Sequence, residues 1–353
     1  MRRLLLLGAG VLGALLLVEG SVRLRQWLRY GTTAPTYYRF ATDPASGLHI
    51  PVPGFTAGPI RINSRGFRGA EIEQPKPAGR IRLAFLGAST TFCAEASALE
   101  TTWPHLVLAG LRAAEPALEF DYVNGGVGGF TTHESLVNLE QRIAPFQPDV
   151  ILYYEATNDL TADTRSLATH AGLFQPGEGE HASIGNWWLT YYLIEKNLRH
   201  SFGARARHAK LHFEPRELSR GFEERLTRLV QAGRARAPVV VLVTFAVQLR
   251  RGQTPEVQRA AAASGLYYMP FLEPASLLDG YEEYNRVIRS VAASTGALLI
   301  EGEAEIPGDP EHFADSVHFR DPGSEIQAAR ILRGLLGAPA FQELLARRRA
   351  GGD

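Results

Sequence analysis

Five short apolar segments, separated by helix-like stretches, constrain the fold of this chain more than any other feature. Each has the length and the β-branched or aromatic content of a buried strand. The predicted strands are Ile81–Leu86, Phe120–Val123, Asp149–Tyr154, Val239–Phe245 and Ala297–Ile300. Strands that alternate with helices in this way pair in parallel, and helices cover both faces of their sheet. The sequence therefore predicts an α/β domain built on a parallel sheet of these five strands.

Apolar periodicity and capping residues predict helices between and after the strands. The predicted helices are Thr102–Ala113, Thr132–Ile143, Glu217–Gln231, Tyr281–Ala293 and Pro322–Leu336. The chain between Asn158 and Val239 is too long for one crossover, so we expect an inserted helical cap at about residues 165–235. The Trp187–Tyr192 cluster inside it suits packing onto the sheet better than stacking on sugars, although both roles fit its aromatic rings.

The amino-terminal residues resemble an export signal. Met1-Arg2-Arg3 precedes an apolar run, Leu4–Val18, which suits a signal h-region and reaches spanning length if it extends to Val22. No clear A-x-A cleavage site follows, so residues 1–30 favour an uncleaved signal anchor over a cleaved signal or a buried helix of a soluble protein. We therefore expect a bacterial protein anchored in the inner membrane and facing the periplasm or cell exterior, or secreted if the signal is cleaved.

The rest of the chain divides into an arm, a main domain and a tail. Residues 31–79 are rich in Pro, Gly and Thr without a sustained period, which predicts an extended arm with a compact turn at Ile62–Gly69. The main domain is expected at residues 80–340. A carboxyl-terminal tail is expected at residues 341–353, where Arg347–Arg349 suit the negative end of a helix dipole.

Composition excludes several classes of function. The 37 basic and 37 acidic residues balance to zero net charge, which argues against a nucleic-acid partner. The single cysteine, Cys93, cannot form an internal disulfide, and its position favours a small buried apolar role. No Cys/His spacing indicates a metal site, and no phosphate-binding loop is present, so we expect no metal and no cofactor.

Ser89 follows the first predicted strand in the segment Gly87-Ala88-Ser89-Thr90. A serine here can simply cap a helix, because its hydroxyl accepts from a free backbone N–H. In parallel sheets, however, ligands bind outside the carboxyl ends of the strands. A serine nucleophile at the carboxyl end of a strand would also direct its own backbone N–H at the negative charge that develops on the substrate oxygen.

Three further segments carry groups suited to acyl transfer. Gly126, in the glycine cluster after the second strand, is either part of a flexible turn or an N–H donor to an oxyanion. Asn158, after the third strand, is either a turn former or a second oxyanion donor. Asp315 lies three residues before His318, where its carboxylate can accept the Nδ1 hydrogen and leave Nε2 free to take a proton from a serine.

In this order, the four segments resemble the four blocks of the SGNH (GDSL-like) hydrolase family. The resemblance covers about residues 80–336, and the arm segment INSRGFRG is similar to one common in exported members. It implies a flavodoxin-like three-layer α/β/α sandwich. It also implies that Ser89 is the nucleophile of a triad with Asp315 and His318. The Ser89 and Gly126 N–H groups and the Asn158 amide would form the oxyanion hole.

The sequence departs from the family pattern in two blocks. Ala88 replaces the aspartate of G-D-S, which is not a triad member, and Ala156 replaces the glycine of G-x-N-D. Glu155 adds a carboxylate near the site, where capping a turn is favoured over facing substrate.

These observations predict an exported serine esterase that hydrolyses ester bonds through an acyl-enzyme. Analogy with exported relatives indicates O-acetyl groups on carbohydrate, carried by a small molecule or a polysaccharide. A lipid ester or thioester would also fit an apolar, tryptophan-rich cap. The alternatives to an esterase are an O-acyltransferase acting on envelope polysaccharide and a non-catalytic carbohydrate-binding relative.

Overall fold

The computed structural model describes residues 2–30, 39–174, 190 and 209–351. The chain begins with helix α1, Arg2–Tyr30, in which large apolar side chains such as Leu16 and Leu17 are exposed. Within the described ranges, no helix combines the length and apolar character needed to cross a membrane.

The described part of the arm, residues 39–79, contains two small antiparallel hairpins that the sequence did not predict. They pair β1, Phe40–Thr42, with β2, His49–Pro51, and β3, Thr56–Ala57, with β4, Ile60–Arg61. Strands of two or three residues are too short to show an alternating apolar pattern, which explains why none could be predicted.

The main domain is built on a five-stranded parallel sheet, as predicted. Its strands are β5, Ile81–Gly87; β6, Phe120–Asn124; β7, Val150–Tyr154; β8, Val239–Val243; and β9, Leu298–Ile300. They lie in the order β6-β5-β7-β8-β9, and every neighbouring pair is parallel. This is the 2-1-3-4-5 order of flavodoxin-like folds, whose ligands bind beside the first strand at its carboxyl end.

Helices cover both faces of the sheet. They are α2, Ser89–Phe92; α3, Trp103–Ala114; α4, Thr132–Asn138; α5, Thr157–His170; α6, Pro215–Arg234; α7, Pro255–Ala261; α8, Ala263–Tyr268; α9, Pro274–Thr295; α10, Asp321–Gly337; and α11, Pro339–Arg349. Helices α3, α10 and α11 form one layer, and α4, α5, α6 and α9 form the other. Because both faces are covered, every residue of β5, β7 and β8 is buried.

Several helices differ from their predicted bounds. The predicted Thr132–Ile143 helix is divided into α4 and a π-helical turn, Leu139–Ile143, and a 3₁₀ turn at Ala144–Phe146 follows it. A further 3₁₀ turn lies at Glu303–Glu305. The predicted tail contains α11, whose Phe341 is buried.

The structure describes only part of the predicted cap at residues 165–235. Residues 175–189 and 191–208 lie outside the described residues, and with them most of the Trp187–Tyr192 cluster. Helix α6, at the end of this interval, packs against α9 in the layer that covers the sheet.

Candidate active site

The turn after β5 presents Ser89 at the carboxyl end of the sheet. Strand β5 ends at Gly87, where an added Cβ would lie 2.3 Å from Thr91 Oγ1 and 2.5 Å from the Tyr154 carbonyl oxygen. Only glycine fits this close approach. The chain then turns directly into α2, which begins at Ser89. The serine thus starts a helix, as its sequence context predicted, and it is fixed by buried neighbours on both sides.

Ser89, His318 and Asp315 form a continuous hydrogen-bonded chain. His318 Nε2 lies 2.8 Å from Ser89 Oγ, although the two residues are 229 positions apart. On the other side of the ring, His318 Nδ1 lies 2.8 Å from Asp315 Oδ2. A carboxylate accepts the Nδ1 hydrogen, so Nε2 is left as the acceptor for the serine hydroxyl. The three residues predicted to act together therefore meet in the geometry of a Ser-His-Asp triad.

The pKa shifts of Asp315 and His318 agree with this hydrogen-bonded triad. Burial alone would raise the pKa of Asp315, but hydrogen bonds and the charge of His318 lower it to about 2. The backbone N–H groups of Val317 and His318 both donate to Asp315 Oδ1. Burial alone would lower the pKa of His318, but the hydrogen bond and charge of Asp315, with the charge of Glu95, raise it above its usual value. A histidine with a raised pKa is a stronger base toward the serine hydroxyl.

Gly126 does not fit its predicted role as an oxyanion donor. Its N–H donates to Asn124 Oδ1 at 3.0 Å, so it is already occupied. A Cβ at this position would lie 2.5 Å from the Phe92 backbone nitrogen. The absence of a side chain therefore lets the backbone of α2 approach, and not a substrate. This is a correction to the sequence prediction, because Asn124 decides which N–H of the glycine cluster is available.

Gly129, three residues later, has the properties expected of the donor. It is exposed, its φ is +89°, and nothing lies within 4 Å of where a Cβ would be. Across the described chain its N–H has no intramolecular acceptor. The next residue, Phe130, accepts a hydrogen bond from Asn158 Nδ2 at 2.8 Å, which brings the predicted amide to this end of the loop. Asn158 keeps a second N–H, because an amide nitrogen carries two.

The family of the chain can be identified from its sequence. A profile of the GDSL-like lipase/acylhydrolase family matches residues 85–326. The chain belongs to the GDSL-like lipase/acylhydrolase family. The matched range contains Ser89, Asn158 and the Asp315–His318 pair, and it confirms the resemblance drawn from those residues. Membership makes the chain an ester-hydrolysing enzyme.

Solved structures to which this chain is similar include hydrolases of low sequence identity. Axe2, an acetylxylan esterase from Geobacillus stearothermophilus, is 18% identical with a TM-score of 0.46, over 74% of this chain and 95% of its own. LAE5, an alpha/beta hydrolase from the metagenome of Lake Arreo, Spain, is 17% identical with a TM-score of 0.44, over 73% of this chain and 95% of its own. No curated protein matches the sequence.

The acylhydrolase site is supported by a buried polar network that the sequence did not reveal. The Asp159 carboxylate accepts hydrogen bonds from the Thr132 N–H at 2.9 Å and from Thr132 Oγ1 at 2.7 Å. Arg225, from α6, donates to the same carboxylate at 3.1 Å. Asn158 and Asp159 thus hold the chain from Phe130 to Thr132, next to the candidate donor Gly129. Nothing local marks Arg225, because it lies 66 residues away from Asp159.

Glu155 neither caps a turn nor reaches the surface. It is buried, and among the described residues neither of its carboxyl oxygens has a hydrogen-bond partner. Burial and the neighbouring Asp159 carboxylate raise the pKa of Glu155 well above its usual value. This shift favours the protonated, uncharged form of the buried side chain.

The burial of Cys93 works against a role as a second nucleophile. Cys93 is buried directly after α2, and burial raises the pKa of its thiol to about 12. In the ranges that the structure describes, no group of three or more His, Cys, Asp or Glu side chains could hold a metal ion.

Proposed function

We propose that the chain hydrolyses esters through a covalent acyl-enzyme on Ser89. The observation that carries the proposal is the 2.8 Å contact between Ser89 Oγ and His318 Nε2, with Asp315 bonded to the opposite ring nitrogen. A nucleophile within hydrogen-bond reach of a base, which is itself held by a third group, is the arrangement that activates serine.

The reaction proceeds in two displacement steps. His318 Nε2 takes the Ser89 proton as Oγ attacks the ester carbonyl, and the tetrahedral intermediate collapses as the alcohol leaves with that proton. Water then attacks the acyl-enzyme with His318 as base, which releases the acid and restores Ser89. The N–H groups of Ser89 and Gly129 and the second N–H of Asn158 stabilise the oxyanion in both steps.

The preferred ester in this proposal is an O-acetyl group on carbohydrate. A hydrophilic alcohol is supported by the exposed Glu95, whose charge acts on His318, and by the exposed Ser97 two residues later. The Ser97 N–H donates to the partly buried Asp321 at 2.9 Å. Carboxylates and hydroxyls bind the hydroxyl groups of a sugar more readily than a lipid chain.

Export is the second part of the proposal and rests on Met1-Arg2-Arg3 and the apolar residues that follow. Fusion of a reporter enzyme that is active only outside the cytoplasm tests it. We expect reporter activity from the full chain and none after deletion of residues 1–30, while equal activity in both would contradict export.

The experiment that tests the activity compares esters on the full-length chain. We expect hydrolysis of p-nitrophenyl acetate and release of acetate from an acetylated polysaccharide, with much slower hydrolysis of p-nitrophenyl octanoate. Both activities should vanish in Ser89→Ala. Turnover that persists in Ser89→Ala would overturn the mechanism, and a preference for octanoate would overturn the substrate class. Acetyl transfer to an added sugar, without release of acetate into water, would favour the acyltransferase.

A further inference from the structure

The helix that carries the nucleophile is too short to hold its own position. Helix α2, hereafter the nucleophile helix, has one turn, Ser89–Phe92. Its backbone bonds are few: the Thr91 and Phe92 N–H groups donate to the Ala88 carbonyl at 3.1 and 2.9 Å, and the Cys93 N–H donates to the Ser89 carbonyl at 2.9 Å. A single turn is unstable in isolation, because fixing its backbone costs more than so few hydrogen bonds return. The position of Ser89 Oγ therefore depends on contacts from outside this helix.

Two of these contacts come from the main domain. Trp103 Nε1, at the start of α3, donates to the Thr90 carbonyl at 3.0 Å. Asn124 Nδ2, at the end of β6, donates to the Thr91 carbonyl at 3.1 Å. Both carbonyls belong to the group that a helix leaves unpaired at its carboxyl end.

The next two carbonyls, of Phe92 and Cys93, accept from one arginine of the arm, and the Cys93 carbonyl also accepts from the Ala96 N–H at 3.1 Å. Arg68 Nη1 donates to the Phe92 carbonyl at 2.7 Å and also to the Cys93 carbonyl. Its Nη2 donates to the Pro59 carbonyl at 3.3 Å, and its guanidinium lies 5.2 Å from the centroid of the Phe92 ring. Only 1% of Arg68 is exposed. A positive charge at the carboxyl end of a helix is favourable, and these carbonyls offset the cost of burying it.

A hydrogen-bonded turn of the arm fixes the position of Arg68. Asn63 Oδ1 accepts from the backbone N–H groups of Arg65 and Phe67, each at 3.0 Å, and Asn63 Nδ2 donates to the Ala70 carbonyl at 2.9 Å. Phe67 is buried and packs edge-on against Phe146 of the main domain. The turn is therefore fixed on the domain immediately before Arg68.

We propose that Arg68 is a positioning residue for Ser89, and that the arm thereby completes the active site although it lies outside the family match at 85–326. This inference rests on the proposed function, in which Ser89 is the nucleophile. Without Arg68, the Phe92 and Cys93 carbonyls lose their charged donor and the nucleophile helix shifts relative to His318. A small misplacement of reacting groups slows chemistry strongly. Substrate binding is unaffected, because Arg68 is buried at the carboxyl end of the helix.

The test compares Arg68→Ala and Arg68→Lys with Arg65→Ala, which removes an exposed arginine of the same turn. In Arg68→Ala we expect kcat to fall about 10- to 100-fold with KM nearly unchanged, and the rate of labelling by a fluorophosphonate to fall in parallel. Arg68→Lys should fall less than Arg68→Ala, and added methylguanidinium should restore part of the kcat of Arg68→Ala. Arg65→Ala should behave as wild type.

Folding is followed separately by circular dichroism and melting temperature, with kinetics measured well below the melting transition of each variant. If Arg68→Ala does not fold, Arg68→Lys carries the test, because it keeps the charge and most of the length. Wild-type kcat in a folded Arg68 variant would overturn the inference. A change in KM alone, or a loss of activity no larger than the fraction of the variant that is unfolded, would overturn it as well. Turnover in Ser89→Ala would instead overturn the proposed function, so the two failures are distinguishable.

Discussion

The sequence Asp-x-x-His occurs twice within ten residues, and the two copies have different surroundings. Asp309 and His312 form one pair, and Asp315 and His318 form the other; in each, the histidine Nδ1 lies 2.8 Å from a carboxylate oxygen. The two pairs lie on facing segments, because the Arg320 N–H donates to the His312 carbonyl at 2.9 Å. The same local spacing therefore builds the same hydrogen bond twice.

The two pairs differ in what surrounds the Nε2 side of each histidine ring. His318 Nε2 contacts Ser89 Oγ, whereas the bonds recorded for the His312 side chain among the described residues are to Asp309 alone. The pKa is lowered for both acids: for Asp309 by its hydrogen bond to His312, and for Asp315 to about 2 in a partly buried pair. An Asp–His pair can therefore form from residues that are close in sequence. A catalytic base also needs a nucleophile, which the fold must place next to the ring from a distant part of the chain.

The largest expected effect separates the two histidines. We expect His318→Ala to lower kcat/KM by about 10⁴- to 10⁶-fold, because Ser89 loses its base. His312→Ala should leave the rate nearly unchanged. Rates of p-nitrophenyl acetate hydrolysis measure both. A comparable loss in the two variants would break the comparison.

Substitution of Asp315 and of Asp309 tests the comparison through both the reaction rate and its pH dependence. We expect Asp315→Asn to lower kcat by about 10²- to 10⁴-fold, because the histidine tautomer is no longer fixed. His318 must be neutral to act, so activity falls as pH drops below its raised pKa. Without the Asp315 charge, burial lowers that pKa and moves the acidic limb of the profile to lower pH. Asp309→Asn serves as the matched control and should change neither quantity.

A smaller loss is expected on the oxyanion side. Asn158→Ala should lower kcat by about 10²- to 10³-fold, because one donor to the developing charge is lost. The pKa of His318 should stay where it is, so the acidic limb of the pH profile should not move. Stopped-assay rates across pH measure both effects. A shifted limb would indicate that Asn158 acts on the base instead.

The smallest expected effect concerns Glu155, whose carboxyl, unlike that of Asp315, has no hydrogen-bond partner among the described residues. Its pKa is raised in the folded protein, so above the unfolded pKa the unfolded state loses a proton that the folded state keeps. Folding stability is therefore lost progressively as pH rises. Glu155→Gln removes this dependence and should melt higher than wild type at pH 8, with the gap narrowing toward pH 4. A gap that is the same at both pH values would contradict the raised pKa.

The sequence predicts the parts of the site whose signal is local. Ser89 and Asn158 follow apolar strands, and the ends of parallel strands meet at one edge of the sheet. Asp315 and His318 lie close enough along the chain to pair in one loop. These residues can be predicted from the sequence, because their surroundings depend on nearby residues and on the fold class.

Other parts depend on contacts that no local pattern carries. Gly126 and Gly129 belong to the same glycine cluster, and only the Asn124 side chain decides which N–H is occupied. Helix α5 is polar at its start and begins after Ala156 without a side-chain cap, so it lacked the usual helix signals. Arg68 contacts a helix 24 residues further along the chain, beyond the reach of any local pattern.

The most direct test of the central claim is to map where a fluorophosphonate attaches to the folded full-length chain. Mass spectrometry of peptides should find the adduct on Ser89 in wild type and in His312→Ala, and should find little or none in folded His318→Ala. An adduct on a different residue, or labelling of Ser89 at the wild-type rate in His318→Ala, would contradict a serine nucleophile activated by His318.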